Sequence, residues 1–166
     1  GVDDHVKLFF AGEHGLVLPA QLDGELDWPT DPRPVARAYT VRAFDPRQQT
    51  VTLDVVIHGN GAGSGWGATA TIGDAVFLAG PKEWTTYPPA PWYLLAGDET
   101  AVPAIARWLE QLPPDAVVRV IVATEHPDAY PGLHLDGDRE VVWVAPAGHA
   151  APLALTPAVD ALAWPS

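Results

Sequence analysis

The stretch "RAYT", Arg37 to Thr40, sets a cation, an aromatic ring and a hydroxyl within four residues. Side chains alternate across a strand, so Arg37 and Tyr39 point one way and Ala38 and Thr40 the other. A cation for a diphosphate, a ring to pack on an isoalloxazine and a hydroxyl near a redox nitrogen are parts that a flavin nucleotide needs. An ordinary barrel strand with an exposed arginine has the same pattern. Further along, "HGNGAGSGWGA" (58–68) supplies glycines that let backbone amides approach a ligand. Ser64 is placed there to cap a helix beginning around Trp66. An anion-binding turn after an arginine-bearing strand suits a dinucleotide diphosphate, and a flexible hairpin loop accounts for the glycines equally. His58 reads as a structural hydrogen-bonder.

A third motif, "YLLAGDETAVPAIARWLEQLP" (93–113), runs from an apolar strand through a turn into an amphipathic segment. Helix N-termini commonly hold phosphates. Here, however, the turn presents Gly97, Asp98 and Glu99, two carboxylates where a phosphate grip wants amides and cations. Other chemistries find less support. Six histidines, at positions 5, 14, 58, 126, 134 and 149, give no i, i+4 pair and no H-x-H, so no metal site is expected. The stretch 125–140 is acidic with two histidines but lacks EF-hand spacing and reads as a solvated loop. "AGSGW" follows a polar loop where a nucleophile elbow needs a buried strand, which argues against a serine hydrolase.

The elements that must carry these motifs come from a chain of 166 residues, 48% of them apolar, enough for one large domain or two small ones. There is no cysteine, which removes disulfides, thiolate metal sites, iron–sulfur clusters and cysteine nucleophiles, and fits a cytoplasmic setting. No apolar run reaches the roughly 20 residues of a membrane span, and no signal-peptide pattern opens the chain. The net charge of −12 argues against nucleic acid as a partner. Five of nine basic residues, Lys7, Arg33, Arg37, Arg42 and Arg47, fall in the first 47 positions. That local positive field on an acidic body suits a specific anionic ligand.

"HVKLFF" (5–10) reads as a strand and 11–34 as a loop. Residues 37–44, 50–59 and 74–81 are strand candidates, rich in β-branched and aromatic residues. Closely spaced strands with Gly and Pro punctuation predict a small antiparallel barrel over 1–81. Residues 82–91 read as a proline-rich linker. In 92–166 the period changes: strand 92–97, helix 100–111 with Pro103 in its first turn, and strands 116–124 and 139–146. A short helix over 155–165 is expected, with Thr156 as N-cap and Pro157 in first position. Near-continuous apolar strands alternating with helix predict a parallel sheet.

In this order the pieces resemble the siderophore-interacting proteins, FAD-binding ferric-siderophore reductases of the ferredoxin-reductase superfamily. The matching segments are "DHVKLFF", "RAYTVRAFDP", "LDVVIHGNGAGSGWGATATIGDAVFLAGP", "YLLAGDETAVPAIARWLEQLP" and "VVWVAPAG". The resemblance implies a flavin-binding antiparallel barrel followed by a nucleotide-binding α/β domain. It implies that Arg37 binds the FAD diphosphate, Tyr39 packs on the isoalloxazine and Thr40 sits near its N5. His58 and Gly61 to Trp66, including Ala62, Gly63 and Ser64, match the second FAD segment. Gly97, Asp98, Glu99, Thr100 and Pro103 match the nicotinamide-side motif, G-T-G-x-x-P in the wider superfamily. Asp98 and Glu99 replace the Thr and second Gly, as in the siderophore branch, which makes the acidic turn a platform near the nicotinamide and not an anion grip.

The chain departs from the family at Ala62, often proline there, and at Gly65, usually larger. It also lacks two strands before "DHVKLFF" and a C-terminal W-x-x-G-E segment, so both domains are expected to be incomplete. Open strand edges are prone to pairing, and a second copy of the chain is expected to cover them. The activity implied is transfer of electrons from NADH or NADPH through FAD to a ferric siderophore, releasing Fe(II), with Lys7, Arg33, Arg42 and Arg47 as candidate substrate contacts. Glu125 and Asp128 after strand 116–124 favour the free ribose of NADH. Two other readings stand beside it: a truncated, non-catalytic FAD- or partner-binding module, and a flavin reductase with another electron acceptor.

Overall fold

The computed structural model describes residues 1, 4–59, 61–81, 86–130, 133, 139–146 and 151–164, the last helix's residues 151–153 by backbone alone. Part of the 82–91 linker, His134 and His149 lie outside the described residues. The chain divides into two compact units, Asp4–Trp84 and Thr85–Ser166, the latter together with Gly1–Asp3.

The first unit is built on β1 (His5–Gly12), in which Val6, Leu8 and Phe10 are buried at every second position. Antiparallel β5 (Val35–Thr40) pairs along one side of β1, from His5 opposite Thr40 to Phe10 opposite Val35. The other side takes β8 (Phe77–Ala79) and then the two-residue β2 (Gly15–Leu16). Val41 completes the buried cluster, and Val35, Tyr39, Leu53, Ala62 and Trp66 pack against it. On the opposite face of β1, Phe9 is buried by Trp28, whose ring stacks on it at 5.6 Å. The Lys7 ammonium lies 4.5 Å from the centroid of the same indole, a cation–π contact.

Two small hairpins flank this sheet. One joins β3 (Ala20–Leu22) to β4 (Glu25–Asp27), inside a stretch expected to be loop. Its Asp23-Gly24 turn has φ of 50° and 85°, both in the left-handed region that tight hairpins demand. The other joins β6 (Ala43–Asp45) to β7 (Thr50–Thr52). There the Asp45 carboxylate accepts the amides of Arg47 and Gln48 at 2.8 and 3.2 Å. The strand expected over 37–44 is therefore two, β5 and β6, and the one expected over 50–59 ends at Thr52. Val55 and Ile57 keep the alternating pattern because they pack on helix α1 (Ala62–Thr69) at Gly67, where a Cβ would lie 2.8 and 3.0 Å from them.

The second unit is a parallel sheet of three strands in the order β11 (Arg139–Val144), β10 (Val118–Ala123), β9 (Tyr93–Asp98). Central β10 is buried on both faces, as its apolar run requires. Val118, Val120 and Val122 meet Val102, Ile105, Leu109 and Leu112 of helix α2 (Val102–Gln111) and its C-cap, spaced three and four apart. Each such side chain taken fully from water contributes about 1.5–3 kcal/mol before entropy is counted. Ile121, on the opposite side of the strand, is also fully buried, and helix α3 (Ala151–Asp160) lies against all three strands. The Arg139 guanidinium donates to the carbonyls of Leu109, Leu112 and Pro113, tying the end of α2 to β11.

The last helix differs from expectation. It begins at Ala151, so Thr156 is interior and Pro157 lies inside the helix, not at its start. Proline there forfeits one backbone hydrogen bond. Leu155, Ala158 and Val159, half-buried as the helix lies on the sheet, offset that loss. No helix among the described residues is long and apolar enough to cross a membrane.

Candidate functional site

In the first unit β5 and α1 bring the flavin-motif residues together. Tyr39 packs on the core with its ring edge against Phe10 at 6.4 Å, and Phe10 in turn meets Trp66 of α1 at 6.0 Å. The Tyr39 hydroxyl lies against Gly63, in the space that a Cβ on that residue would fill. Gly63 therefore lets the first turn of α1 close onto Tyr39. Burial pushes the Tyr39 phenol above its usual pKa, while the nearby Arg37 cation partly opposes the shift. Arg37 itself is exposed and donates to the carbonyl of Ala36 at 2.8 Å. Thr40 ends the strand, paired with His5.

The helix starts four residues earlier than the serine cap suggested. Gly61 is the N-cap, at φ 100° and ψ 155°, a conformation that costs other residues dearly. It supplies no side-chain cap, and the first turn carries no acidic residue. Ser64 is thus not the cap: it sits in the first turn, buried, and its Oγ accepts the His58 amide at 3.0 Å. His58 acts through its backbone, with its side chain exposed. The first-turn amides of Ala62, Gly63 and Ser64 have no acceptor within the helix. An arginine nearby, uncapped amides and glycine where the chain must approach closely fit a nucleotide diphosphate.

The four candidate substrate cations stand on separate stretches of this unit: Lys7 on β1, Arg33 before β5, Arg42 between β5 and β6, and Arg47 in the β6–β7 turn. Two are already engaged, Lys7 by the Trp28 ring and Arg42 by Asp54 at 3.9 Å.

In the second unit the acidic turn has an internal use. Asp98 accepts both the amide and the hydroxyl of Thr100, at 2.9 and 2.5 Å, capping a one-turn 3-10 segment, Glu99–Ala101, that leads into α2. The carboxylate fills the place an anion would take, so this turn is not built to hold a phosphate. Gly97 is required because a Cβ there would overlap that of Ala101. Pro103 lies buried in the first turn of α2, as expected. Sequence reading missed Tyr130, which stacks on Trp143 at 6.2 Å. Burial, then the Glu99 and Asp98 carboxylates, hold its phenol above the usual pKa, so it borders the acidic turn at the C-terminal edge of the sheet, where open α/β sheets take their ligands. Its signal was the lone aromatic in the loop after β10. Glu125 and Asp128 lie exposed in that loop. Among the described residues no group of three or more metal-type ligands gathers.

Each unit thus carries a nucleotide-type arrangement, an uncapped helix start beside Arg37 and Tyr39 in one and a strand–turn–helix on a parallel sheet in the other. Comparison with known proteins assigns the family. Residues 1–84 match the siderophore-interacting FAD-binding domain and residues 90–166 the siderophore-interacting protein domain. The chain belongs to the siderophore-interacting protein family, the one its motifs resemble, and FAD is the cofactor its N-terminal domain is named for. It is 40% identical over 154 residues to an uncharacterized protein of Mycobacterium tuberculosis, covering 89% of this chain and 54% of that one. It is 36% identical over 151 residues to the NADPH-dependent ferric-chelate reductase of Escherichia coli, covering 87% and 59%. The crystal structure of a siderophore utilization protein from T. fusca superposes with a TM-score of 0.83 at 36% identity, covering all of this chain and 65% of that one. The chain spans about half the length of the curated relatives it matches.

Proposed function

We propose that the chain is the cofactor-carrying part of a cytoplasmic ferric-siderophore reductase, moving electrons from NADH or NADPH through FAD to Fe(III) and releasing the metal as Fe(II). The observation that carries this reading is the convergence of Arg37, Tyr39 and the uncapped first turn of α1 around Gly63. When bound, FAD takes an electron pair from the nicotinamide as hydride and passes electrons on singly.

The chain's own residues bind and orient. Arg37 supplies the positive charge beside the diphosphate, and the amides of Ala62 and Gly63 supply uncharged donors. Tyr39, fixed by Phe10 and Gly63, offers a rigid aromatic edge toward the ring system, and Thr40 a hydroxyl near the redox nitrogen. In the second unit Asp98, spent on Thr100, shapes the platform of Gly97, Glu99, Thr100 and Pro103 for the uncharged nicotinamide end. Siderophore oxygens are hard donors that hold Fe(III) more firmly than Fe(II), so reduction loosens the iron. Arg33 and Arg47, both exposed, remain the better candidates for drawing in an anionic siderophore.

NADH is the donor this reading favours, since the loop after β10 carries Glu125 and Asp128 where a 2′-phosphate would want cations. The same reading has a second copy of the chain covering the outer edges of β5 and β8, which pair only with β1 among the described residues. A mass measurement showing a monomer would remove that part alone. The test of the whole is colour. Protein supplied with FAD should be yellow, bleach with NADH faster than with NADPH in the absence of oxygen, and recover its colour when ferric siderophore is added. A protein that is colourless once unbound FAD has been removed is not this reductase.

A further inference from the structure

We propose that the Tyr130 ring and the Glu99 carboxylate form a wall that binds the oxidised, cationic nicotinamide ring more tightly than the reduced, neutral one. The proposal rests on the nucleotide reading of the second unit above. The three strands of that unit end in register, at Asp98, Ala123 and Val144. One residue before those ends, Gly97, Val122 and Trp143 lie side by side, and Val122 and Trp143 join the cluster under α2. Tyr130 stacks on Trp143 with the two ring planes 15° apart. Trp143 therefore takes one face of a half-buried ring and leaves the other as its exposed face. The carboxylates of Glu99 and Asp98 are near enough to add to the effect of burial on the phenol.

An aromatic face beside carboxylates attracts a cation, through the ring quadrupole and through direct charge. Among the described residues neither Asp98 nor Glu99 is paired with a basic side chain. The sequence around them offers none, since 83–106 and 120–138 contain no Lys or Arg. Asp98 is turned to Thr100, which leaves Glu99 as the charge without an internal use. Of the groups on a nicotinamide dinucleotide, only the oxidised ring is a cation. When hydride leaves C4 of the reduced ring for the flavin, the C–H bonding pair goes with it and the ring becomes a pyridinium. The attraction of the wall thus grows as the transfer proceeds, which is where an interaction speeds a reaction.

The test is calorimetric titration of the FAD-loaded protein with NAD+, with tetrahydro-NAD, whose ring is uncharged and gives no hydride, and with AMP, which keeps the adenine end alone. The wild type is compared with Tyr130→Leu, Tyr130→Phe, Glu99→Gln and Asp160→Asn, the last removing a carboxylate at the end of α3. The wild type should bind NAD+ more tightly than tetrahydro-NAD. Tyr130→Leu and Glu99→Gln should each narrow that preference roughly two- to fivefold, and Tyr130→Phe, which keeps a ring, should retain it. Asp160→Asn should leave it unchanged. Equal losses for NAD+ and tetrahydro-NAD in Tyr130→Leu and Glu99→Gln overturn the proposal, because the contact is then blind to charge. So does a preference that Asp160→Asn narrows as far as Glu99→Gln, which assigns it to the net charge of −12. A loss of AMP affinity in Tyr130→Leu moves the ring to the adenine end and overturns it as well. If Tyr130→Leu fails to fold, Glu99→Gln against Asp160→Asn still decides. A wild type that stays yellow but binds neither nicotinamide nucleotide overturns the nucleotide reading and the proposal with it, while the FAD site stands.

Discussion

Replacing Gly63 by alanine isolates the contact on which the proposed flavin site rests. A Cβ there would overlap the Tyr39 hydroxyl, and would lie 3.2 Å from Tyr39 Cζ and 3.5 Å from Phe10 Cζ. Phe10 is only 5% exposed, so the Tyr39 ring has no room to retreat into the core. Either Tyr39 swings outward or the first turn of α1 lifts. Overpacking of this kind costs about 1–3 kcal/mol, and alanine regains about 1 kcal/mol of helix propensity, leaving a net loss of roughly 0–2 kcal/mol. Gly65, two residues on, is the control: nothing lies within 4 Å of its Cβ position, so Gly65→Ala should stabilise the protein by about 1 kcal/mol. Urea unfolding of both variants without cofactor reads the stability, and flavin fluorescence titration reads FAD affinity, which only Gly63→Ala should lose. Equal stability and equal FAD binding in the two variants would mean that Tyr39 is not seated against the helix start.

Arg37→Ala should weaken FAD binding roughly ten- to a hundredfold, the loss of one charge-assisted contact, and change unfolding free energy by less than about 0.5 kcal/mol because the side chain is exposed. Asp98→Ala should cost about 1 kcal/mol by removing the cap on Thr100, with Asp98→Asn costing less; urea midpoints compare them. Tyr39 predicts an alkaline limit. Its pKa is raised on folding by burial, so the folded state favours the protonated phenol. That contribution is fully present below the unfolded value of 10.0 and is lost as pH climbs through the higher folded value. Tyr39→Phe should flatten the fall in urea midpoint over that alkaline range.

Where local pattern and packing partner coincide, the sequence was a good guide. The valines of β10 and the three-and-four spacing of Val102, Ile105 and Leu109 announce a parallel sheet and its helix, because the residues that form each element are those that bury it. Pro103 sits where a helix start tolerates it. The failures have physical causes as well. Ala20, Gln21 and Leu22 are all exposed, so the β3–β4 hairpin carries no apolar alternation, and only Asp23-Gly24 marks it. Val55 and Ile57 alternate as a strand does but pack on a helix. Ser64 has the chemistry of a cap, yet a glycine three residues earlier takes the position and the serine turns inward. The charge of Asp98 suggests a ligand, whereas its hydrogen bonds close within two residues. Tyr130 gains its place beside the acidic turn only through the fold, from more than thirty positions away in sequence.

The central claim is electron transfer to siderophore-bound iron, and trapping the product tests it most directly. Protein loaded with FAD is mixed under argon with a limiting amount of NADH and an excess of ferric siderophore, and Fe(II) is captured by a colorimetric chelator. Fe(II) should rise in proportion to the nucleotide supplied, and should be absent without FAD or with Arg37→Ala at low FAD concentration. Nucleotide that bleaches the flavin while no Fe(II) forms would contradict the account.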